Sequence, residues 1–142
     1  MGLAVCYDGA FPETVRQLAW LGAEIVIQPT LTPTRDREME RVCARARANA
    51  WTNQVYVVNV NAGDPAGVGT SAVVDPEGLV RQQAGPGEEI LVDVLDLDTV
   101  TRVRRYGSAG INRPWSQLAR YGESIGLPVY GGRTLRSLDW ME

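Results

Sequence analysis

A cysteine stands in the most chemically suggestive stretch of this chain, the string VCYDGAFPE over residues 5–13. The apolar residues before it predict a buried strand over residues 3–6, and Pro12 with Glu13 predicts the first turn of a helix. A tight turn from strand to helix exposes a side chain at the sheet edge, beside backbone N–H groups that can stabilise an oxyanion. The thiol of Cys6 is therefore suited to nucleophilic attack on a carbonyl carbon.

Two further observations bear on this thiol. A cysteine at a strand end also suits a purely structural role, because free cysteine is among the most buried residue types. The chain has no histidine, and all fourteen of its basic residues are arginine, which stays protonated at ordinary pH. Carboxylates, tyrosines and the termini are the remaining proton acceptors. Asp8 is expected to hold backbone N–H groups of the turn, and Glu13 to complement the helix dipole.

The composition narrows the class of protein. A chain of 142 residues with 44% hydrophobic and 22% charged content is typical of one globular domain. A net charge of −3 argues against a nucleic-acid partner. We expect no membrane span, because no apolar run approaches roughly 20 residues. We expect no signal peptide, because the sequence shows no charged segment followed by an apolar segment of that type. Two cysteines do not make a disulfide framework, so we expect a reducing, cytoplasmic setting.

Hydrophobic periodicity predicts an α/β fold. The expected strands cover residues 3–6, 24–28, 55–61, 70–75, 79–84 and 88–94, and the expected helices cover 12–22, 36–54, 98–105 and 113–122. The first strands are joined through helices and should be parallel, whereas the later turns are too short for crossovers and predict antiparallel hairpins. The helices can cover one face of this sheet, so the other face must meet something else.

Polar residues follow or interrupt the predicted strands. Gln28, Thr30 and Leu31 come after the second strand, where they line either a substrate pocket or an ordinary loop. Asn59 and Asn61 alternate along the strongest predicted strand, and if buried they need hydrogen-bond partners. We expect these two asparagines to serve structural networks.

The remaining candidates are predicted to be structural. Cys43 lies on the apolar stripe of the second helix and is expected in the core. The Arg102, Arg104 and Arg105 cluster is expected to form a solvated helix face. Aromatic residues of the tail are expected to anchor another protein surface: Trp115, Tyr121, Tyr130 and Trp140.

The string around Cys6 resembles the nucleophile motif of the nitrilase superfamily, the carbon–nitrogen hydrolases. In that family Cys-Tyr-Asp is followed by an aromatic residue and Pro-Glu, and the matching positions are Cys6, Tyr7, Asp8, Phe11, Pro12 and Glu13. Gly9 after the motif aspartate is most similar to the formamidase and aliphatic-amidase branch. Four later strings resemble the family in the same order: GAEIVIQPT, ARANAWTNQVYVVNVNAG, GTSAVVDPEGLV and EEILVDVLDLDTVTRVRR.

The resemblance implies an αββα sandwich of which this chain is the carboxyl-terminal half. Residues 1–106 would form the hydrolase domain, and residues 107–142 an arm that contacts a neighbouring subunit. The implied reaction is attack by Cys6 on a small amide, with a thioester intermediate and the backbone N–H of Tyr7 as oxyanion donor. The resemblance implies no metal and no cofactor.

Family members also use a glutamate base and a lysine, both located before the cysteine motif. Neither is recognised in this chain, so the isolated polypeptide is expected to be inactive. Family glutamates that follow the cysteine motif have a structural role, and the resemblance implies this role for Glu13 and Glu89. The expected partners are a second copy of the chain or a complementing amino-terminal half.

Three functions remain open on the sequence. The first is an amidase-type hydrolase represented by a half-length chain. The second is a non-catalytic family member that acts as a binding or assembly subunit. The third is a thiol switch at Cys6, which is the weakest because Cys43 is predicted in mid-helix and offers no resolving thiol.

Overall fold

The computed structural model describes residues 1–33 and 38–125, in which a mixed sheet is flanked by helices. The strands are β1 (Gly2–Leu3), β2 (Ile25–Thr30), β3 (Tyr56–Asn61), β4 (Ala72–Val74) and β5 (Val80–Gln83). The helices are α1 (Pro12–Trp20), α2 (Glu38–Asn53), α3 (Leu97–Tyr106) and α4 (Pro114–Ile125), and a 3-10 turn spans Cys6–Ala10.

The sheet follows chain order, β1-β2-β3-β4-β5. β1, β2 and β3 are parallel, and β4 and β5 continue the sheet as antiparallel neighbours. The predicted α/β fold, with a parallel start followed by hairpins, is confirmed.

The core lies between the sheet and the first two helices. Alternate residues of β2 and β3 face these helices, and small side chains on α2 allow the helix to approach the sheet closely. The buried cluster includes Ala4, Val15, Ala19, Val26, Ala46, Ala50, Val55, Val57, Ala72 and Val74. Within residues 1–33 and 38–125, no helix has both the length and the apolarity needed to cross a membrane.

The first strand is shorter than predicted. It ends at Leu3, and the prediction that Cys6 lies in a buried strand is wrong. Ala4 N still donates to Ile27 O at 3.0 Å, but the next amide, Val5 N, donates to the Asp8 carboxylate at 3.0 Å. The side chain of Asp8 thus takes the place of a strand partner and starts the turn.

Pro29 lies inside β2, although the sequence predicted that this strand ends at residue 28. Ile27 O accepts from Ala4 N, the residue just after β1. Along a strand, the backbone N–H and C=O groups of every second residue point towards the same neighbouring strand. The nitrogen of Pro29 therefore faces the region beyond the end of β1, where no ladder hydrogen bond is lost. β2 consequently remains paired with β3 as far as Thr30 opposite Asn61.

The prediction of a strand over residues 88–94 is wrong. These residues run beside β5 and are held there by side-chain hydrogen bonds. Arg81 donates to the Asp93 carboxylate at 2.7 and 2.9 Å, and Gln82 Nε2 donates to Val92 O at 2.7 Å. The Glu89 carboxylate accepts from Gly85 N at 2.8 Å. The apolar side chains of Ile90, Val92 and Val94 are highly exposed. The alternating pattern predicted a strand, but a strand also needs a backbone partner along its length.

Trp115 packs against other residues of this chain. The prediction that it anchors another protein surface is therefore corrected. Its ring lies 5.4 Å from that of Trp20, and the guanidinium groups of Arg104 and Arg16 lie 5.0 and 5.5 Å from its centre. Arg104 also donates to Ala23 O at 2.7 Å, so it is not part of a solvated face. These contacts attach the start of α4 to α1 and α3.

The predictions for the other arginines of α3 and for the other aromatic residues of the tail have different outcomes. Arg102 and Arg105 are exposed, as predicted. The side chain of Tyr121 and the residues Tyr130 and Trp140 lie outside the described part of the chain. Their predicted role therefore stays a prediction.

Replacement of Gln54 by Met should destabilise the fold. The buried Gln54 amide donates to Val103 O at 3.1 Å and to Asn112 O at 2.6 Å, and Gln54→Met leaves both carbonyls without this donor. We expect the free energy of unfolding, measured in urea, to fall by about 2 kcal/mol. The matched control Gln83→Met, at an exposed position of β5, should change it by less than about 0.5 kcal/mol. Equal effects of the two changes would contradict this role of Gln54.

Candidate active site

Cys6 lies just beyond the end of β1, at the first residue of the 3-10 turn, and it is exposed. Its φ angle is +50°, in the left-handed region that residues with a Cβ rarely adopt. Such a conformation persists where surrounding contacts impose it, and it is often found at functional sites. Here Asp8 supplies contacts of this kind, because its carboxylate accepts from Val5 N and its carbonyl accepts from Phe11 N at 3.2 Å.

Neutral hydrogen-bond donors surround the thiol. Thr30 Oγ1 lies 3.5 Å from Cys6 Sγ, and this hydroxyl is the main cause of a lowered pKa of Cys6. The backbone N–H groups of Leu31 and Tyr7 lower the pKa further, and Arg45 on α2 adds a smaller electrostatic effect. The slight burial of the thiol acts in the opposite direction. The site therefore favours the thiolate, the nucleophilic form of cysteine.

Parallel pairing explains why these groups meet. β1 and β2 end side by side, so the residues that follow them lie at the same edge of the sheet. Thr30 is half-buried beside the thiol, and Leu31, whose backbone N–H faces the thiol, is 56% exposed. Gln28, by contrast, is 1% exposed, and its amide donates to Cys6 O at 3.3 Å from beneath the turn.

The candidate carboxylates have other contacts. The Asp8 carboxylate accepts from Val5 N, and that of Glu89 accepts from Gly85 N. Glu13 is exposed in the first turn of α1. Asp8 and Glu89 are thus engaged in holding turns. In the part of the chain that the structure describes, no cluster of three cysteine or acidic side chains is arranged to hold a metal ion.

The two strand asparagines differ in their surroundings. Asn61 is networked as predicted: its side chain accepts from Thr32 N and donates to Gly69 O, both at 2.9 Å. Asn59 is buried in register with Gln28, but its amide has no hydrogen-bond partner among the described residues. Cys43 is half-buried on α2 rather than fully in the core.

One residue of the site was missed in the sequence. Asn49, buried on α2, donates through Nδ2 to Gly9 O at 3.1 Å. It lies three residues after Ala46 and seven after Val42, on the stripe that faces the core. A polar residue on an apolar helix stripe requires a buried partner, and this was the signal in the sequence.

Residues 1–105 match the family of carbon-nitrogen hydrolases. The chain belongs to this family. The (R)-stereoselective amidase of Pseudomonas sp. is 43% identical over an alignment of 110 residues, and the match covers 74% of this chain and 39% of that protein. The structure of Saccharomyces cerevisiae Nit3, a member of branch 10 of the nitrilase superfamily, matches with a TM-score of 0.65 and 33% identity, over 72% of this chain and 40% of that one.

A third relative is a solved amidase whose active-site cysteine has reacted with an amide compound. An amidase from Nesterenkonia sp. AN1, with a TM-score of 0.61 and 32% identity over 72% of this chain and 41% of that one, shows the result of Michael addition of acrylamide at its active-site cysteine. This carbon-nitrogen hydrolase chain spans about 40% of the length of these three relatives.

The lowered pKa of Cys6 leads to a prediction about its reactivity. Alkylation by iodoacetamide follows the thiolate fraction, so Cys6 should react at lower pH than an ordinary cysteine. Thr30→Val removes the hydroxyl donor and raises the thiol pKa, so the rate should fall several-fold near neutral pH and recover at high pH. Mass spectrometry of the Cys6 peptide separates this reaction from that of Cys43.

The matched control is Thr32→Val, two residues along the same loop. The hydrogen bonds of Thr32 involve its backbone: its N–H donates to Asn61 Oδ1, and its C=O accepts from Val68 N. Both backbone groups are still present after the substitution. Its pH profile should coincide with that of the wild type. A Thr30→Val profile that also coincides would show that the hydroxyl does not stabilise the thiolate.

Proposed function

We propose that this chain carries the cysteine nucleophile of an amidase that converts a small amide into a carboxylic acid and ammonia. The observation that carries the proposal is the exposed Cys6 thiol, placed where β1 and β2 end and surrounded by the donors Thr30, Leu31 and Tyr7. Membership of the carbon-nitrogen hydrolases and similarity to amidases support the same chemistry.

In the proposed reaction, Cys6 Sγ forms a bond to the amide carbon while the carbonyl oxygen gains negative charge near the N–H of Tyr7. The carbon–nitrogen bond then breaks, and nitrogen leaves as ammonia after it accepts a proton. Water attacks the thioester, the acid is released, and the thiol is regenerated. The side chains of Thr30 and Leu31 are proposed to contact the acyl part of the substrate.

We assign the proton acceptor and the cationic oxyanion donor to polypeptide outside these 142 residues. The sequence contains no lysine, and the Asp8 carboxylate is engaged by Val5 N. An oxyanion donor is typically worth about 10²- to 10³-fold in rate, and a general base about 10²- to 10⁴-fold. The thiol alone would therefore be a slow catalyst.

The uncovered face of the sheet supports a complementing segment. Leu3, Ile27 and Val58 are neighbours across β1, β2 and β3, on the side opposite α1 and α2. Leu3 is 60% exposed, and Val60, which lies on the same face, is 47% exposed. Exposed apolar patches of this kind mark interaction sites. The proposed occupant is a complementing half of the sandwich, from the same gene product or from a separate chain.

A second candidate function is a non-catalytic subunit. The absence of lysine and the structural contacts of Asp8 and Glu89 favour it for the isolated chain. The two candidates differ in whether Cys6 turns over substrate once the uncovered face is occupied.

Complementation should reveal amide hydrolysis. The chain is mixed or co-expressed with the part of the Pseudomonas amidase polypeptide that it does not match, and ammonia release is measured from formamide, acetamide and propionamide. We expect release from the complex and none from either part alone. Cys6→Ala should reduce release by the complex to background, because it removes the nucleophile. Equal release by Cys6→Ala would remove Cys6 from the mechanism, and a stable complex without release would favour the non-catalytic subunit.

The isolated chain should self-associate through its uncovered face. We expect its sedimentation coefficient to rise with protein concentration, and the double change Leu3→Ser and Val60→Ser should weaken that rise because it removes exposed apolar surface. The control Leu79→Ser alters an exposed leucine that lines a groove against Trp51 of α2. It should leave association unchanged. A monodisperse wild-type monomer at high concentration would contradict the prediction.

A further inference from the structure

We infer that Gln28 and Asn49 are positioning residues, whose buried amides hold the turn so that the backbone N–H of Tyr7 faces the reacting centre. This inference rests on the proposed function of Cys6 as the nucleophile. It concerns two side chains that do not themselves contact substrate.

The two amides hold the turn from below at two points. Gln28 Nε2, from β2, donates to Cys6 O at 3.3 Å, and Asn49 Nδ2, from α2, donates to Gly9 O at 3.1 Å. Both side chains are buried, so water does not compete for these bonds. The carbonyls at the first and fourth residues of the turn are thus fixed to two different elements of the core.

The bond to Cys6 O has a direct consequence for Tyr7. The carbonyl of Cys6 and the N–H of Tyr7 belong to one planar peptide unit, in which they point in opposite directions. When Gln28 holds the oxygen towards the core, the N–H of Tyr7 is directed away from the core, to the side of the exposed thiol. Gln28 therefore controls the direction of the oxyanion donor without touching the substrate.

The fit of Gly9 shows how closely the turn packs on Gln28. A Cβ atom at Gly9 would lie 2.0 Å from Gln28 Nε2 and 2.3 Å from its Cδ. Any side chain at this position would displace the amide. Gln28 and Asn49 thus both lie against Gly9 of the turn, Gln28 by close packing and Asn49 by its hydrogen bond.

The test compares two reactions of the same thiol. Acylation of Cys6 by p-nitrophenyl acetate passes through an oxyanion, whereas alkylation by iodoacetamide does not. Gln28→Met keeps the length of the side chain and removes the donor. We expect single-turnover acylation to slow by at least about tenfold, a fraction of the roughly 10²- to 10³-fold that an oxyanion donor is worth. Alkylation at high pH, where the thiol is fully ionised, should stay within about twofold.

Gln82→Met is the matched control, since it also removes an amide donor to a carbonyl, Val92 O, but on β5. It should leave the ratio of acylation to alkylation unchanged. If Gln28→Met does not fold, as judged by circular dichroism, Asn49→Leu replaces it, with the same expected fall in the ratio.

The outcomes separate this inference from the proposed function. A wild-type Cys6 that is acylated no faster than a free thiol of matched ionisation would contradict the proposed function. A wild-type Cys6 with enhanced acylation, together with an unchanged ratio in the folded variant, would overturn the positioning role alone.

Discussion

The left-handed backbone of Cys6 is the constraint on which this structure depends. At a φ of +50° the chain cannot continue as a strand through Cys6, and just before it the amide of Val5 donates to the Asp8 carboxylate instead of to a neighbouring strand. The same turn brings Sγ to the end of β2, beside Thr30 and Leu31. A conformation of this kind costs on the order of 1–3 kcal/mol, and contacts from the turn, β2 and α2 hold it in place.

The packing is one-sided, and this follows from the connections. The helices α1 and α2 lie on one face of the sheet and bury its alternate residues, such as Val26 and Val57, with their small side chains. The opposite face carries Leu3 and Val60 at the surface, and residues 88–94 run beside β5 through side-chain contacts of Arg81 and Gln82. Hydrophobic burial is the dominant favourable term in folding, so exposed apolar side chains such as those of Leu3 and Val60 favour association.

The sequence predicted the elements that depend on local pattern. All four helices, the parallel start and the antiparallel pairs β3–β4 and β4–β5 were found, because periodicity, capping residues and turn lengths specify them locally. The errors share a different cause. The end of β1 depends on the carboxylate of Asp8, the continuation of β2 through Pro29 depends on where β1 stops, and the burial of Trp115 depends on Arg104 and Trp20. Such contacts depend on the folded chain, and a local stretch of sequence does not show which residues will meet. The site followed the same rule, since the motif identified Cys6 and Tyr7 but only the fold brought Asn49 to Gly9.

The nature of the donors around Cys6 also divides the proposed chemistry between two parts of the protein. A hydroxyl and two peptide N–H groups lower the pKa of Cys6 and favour the thiolate, with a smaller effect of Arg45. These donors are dipoles fixed by the fold, and they cost no reorganisation when charge develops. A dipole cannot accept the proton that water loses in thioester hydrolysis, and that step requires a base with a suitable pKa. On the proposed function, this chain supplies a preorganised nucleophile and one oxyanion donor, and the proton transfers belong to the segment that covers its open face.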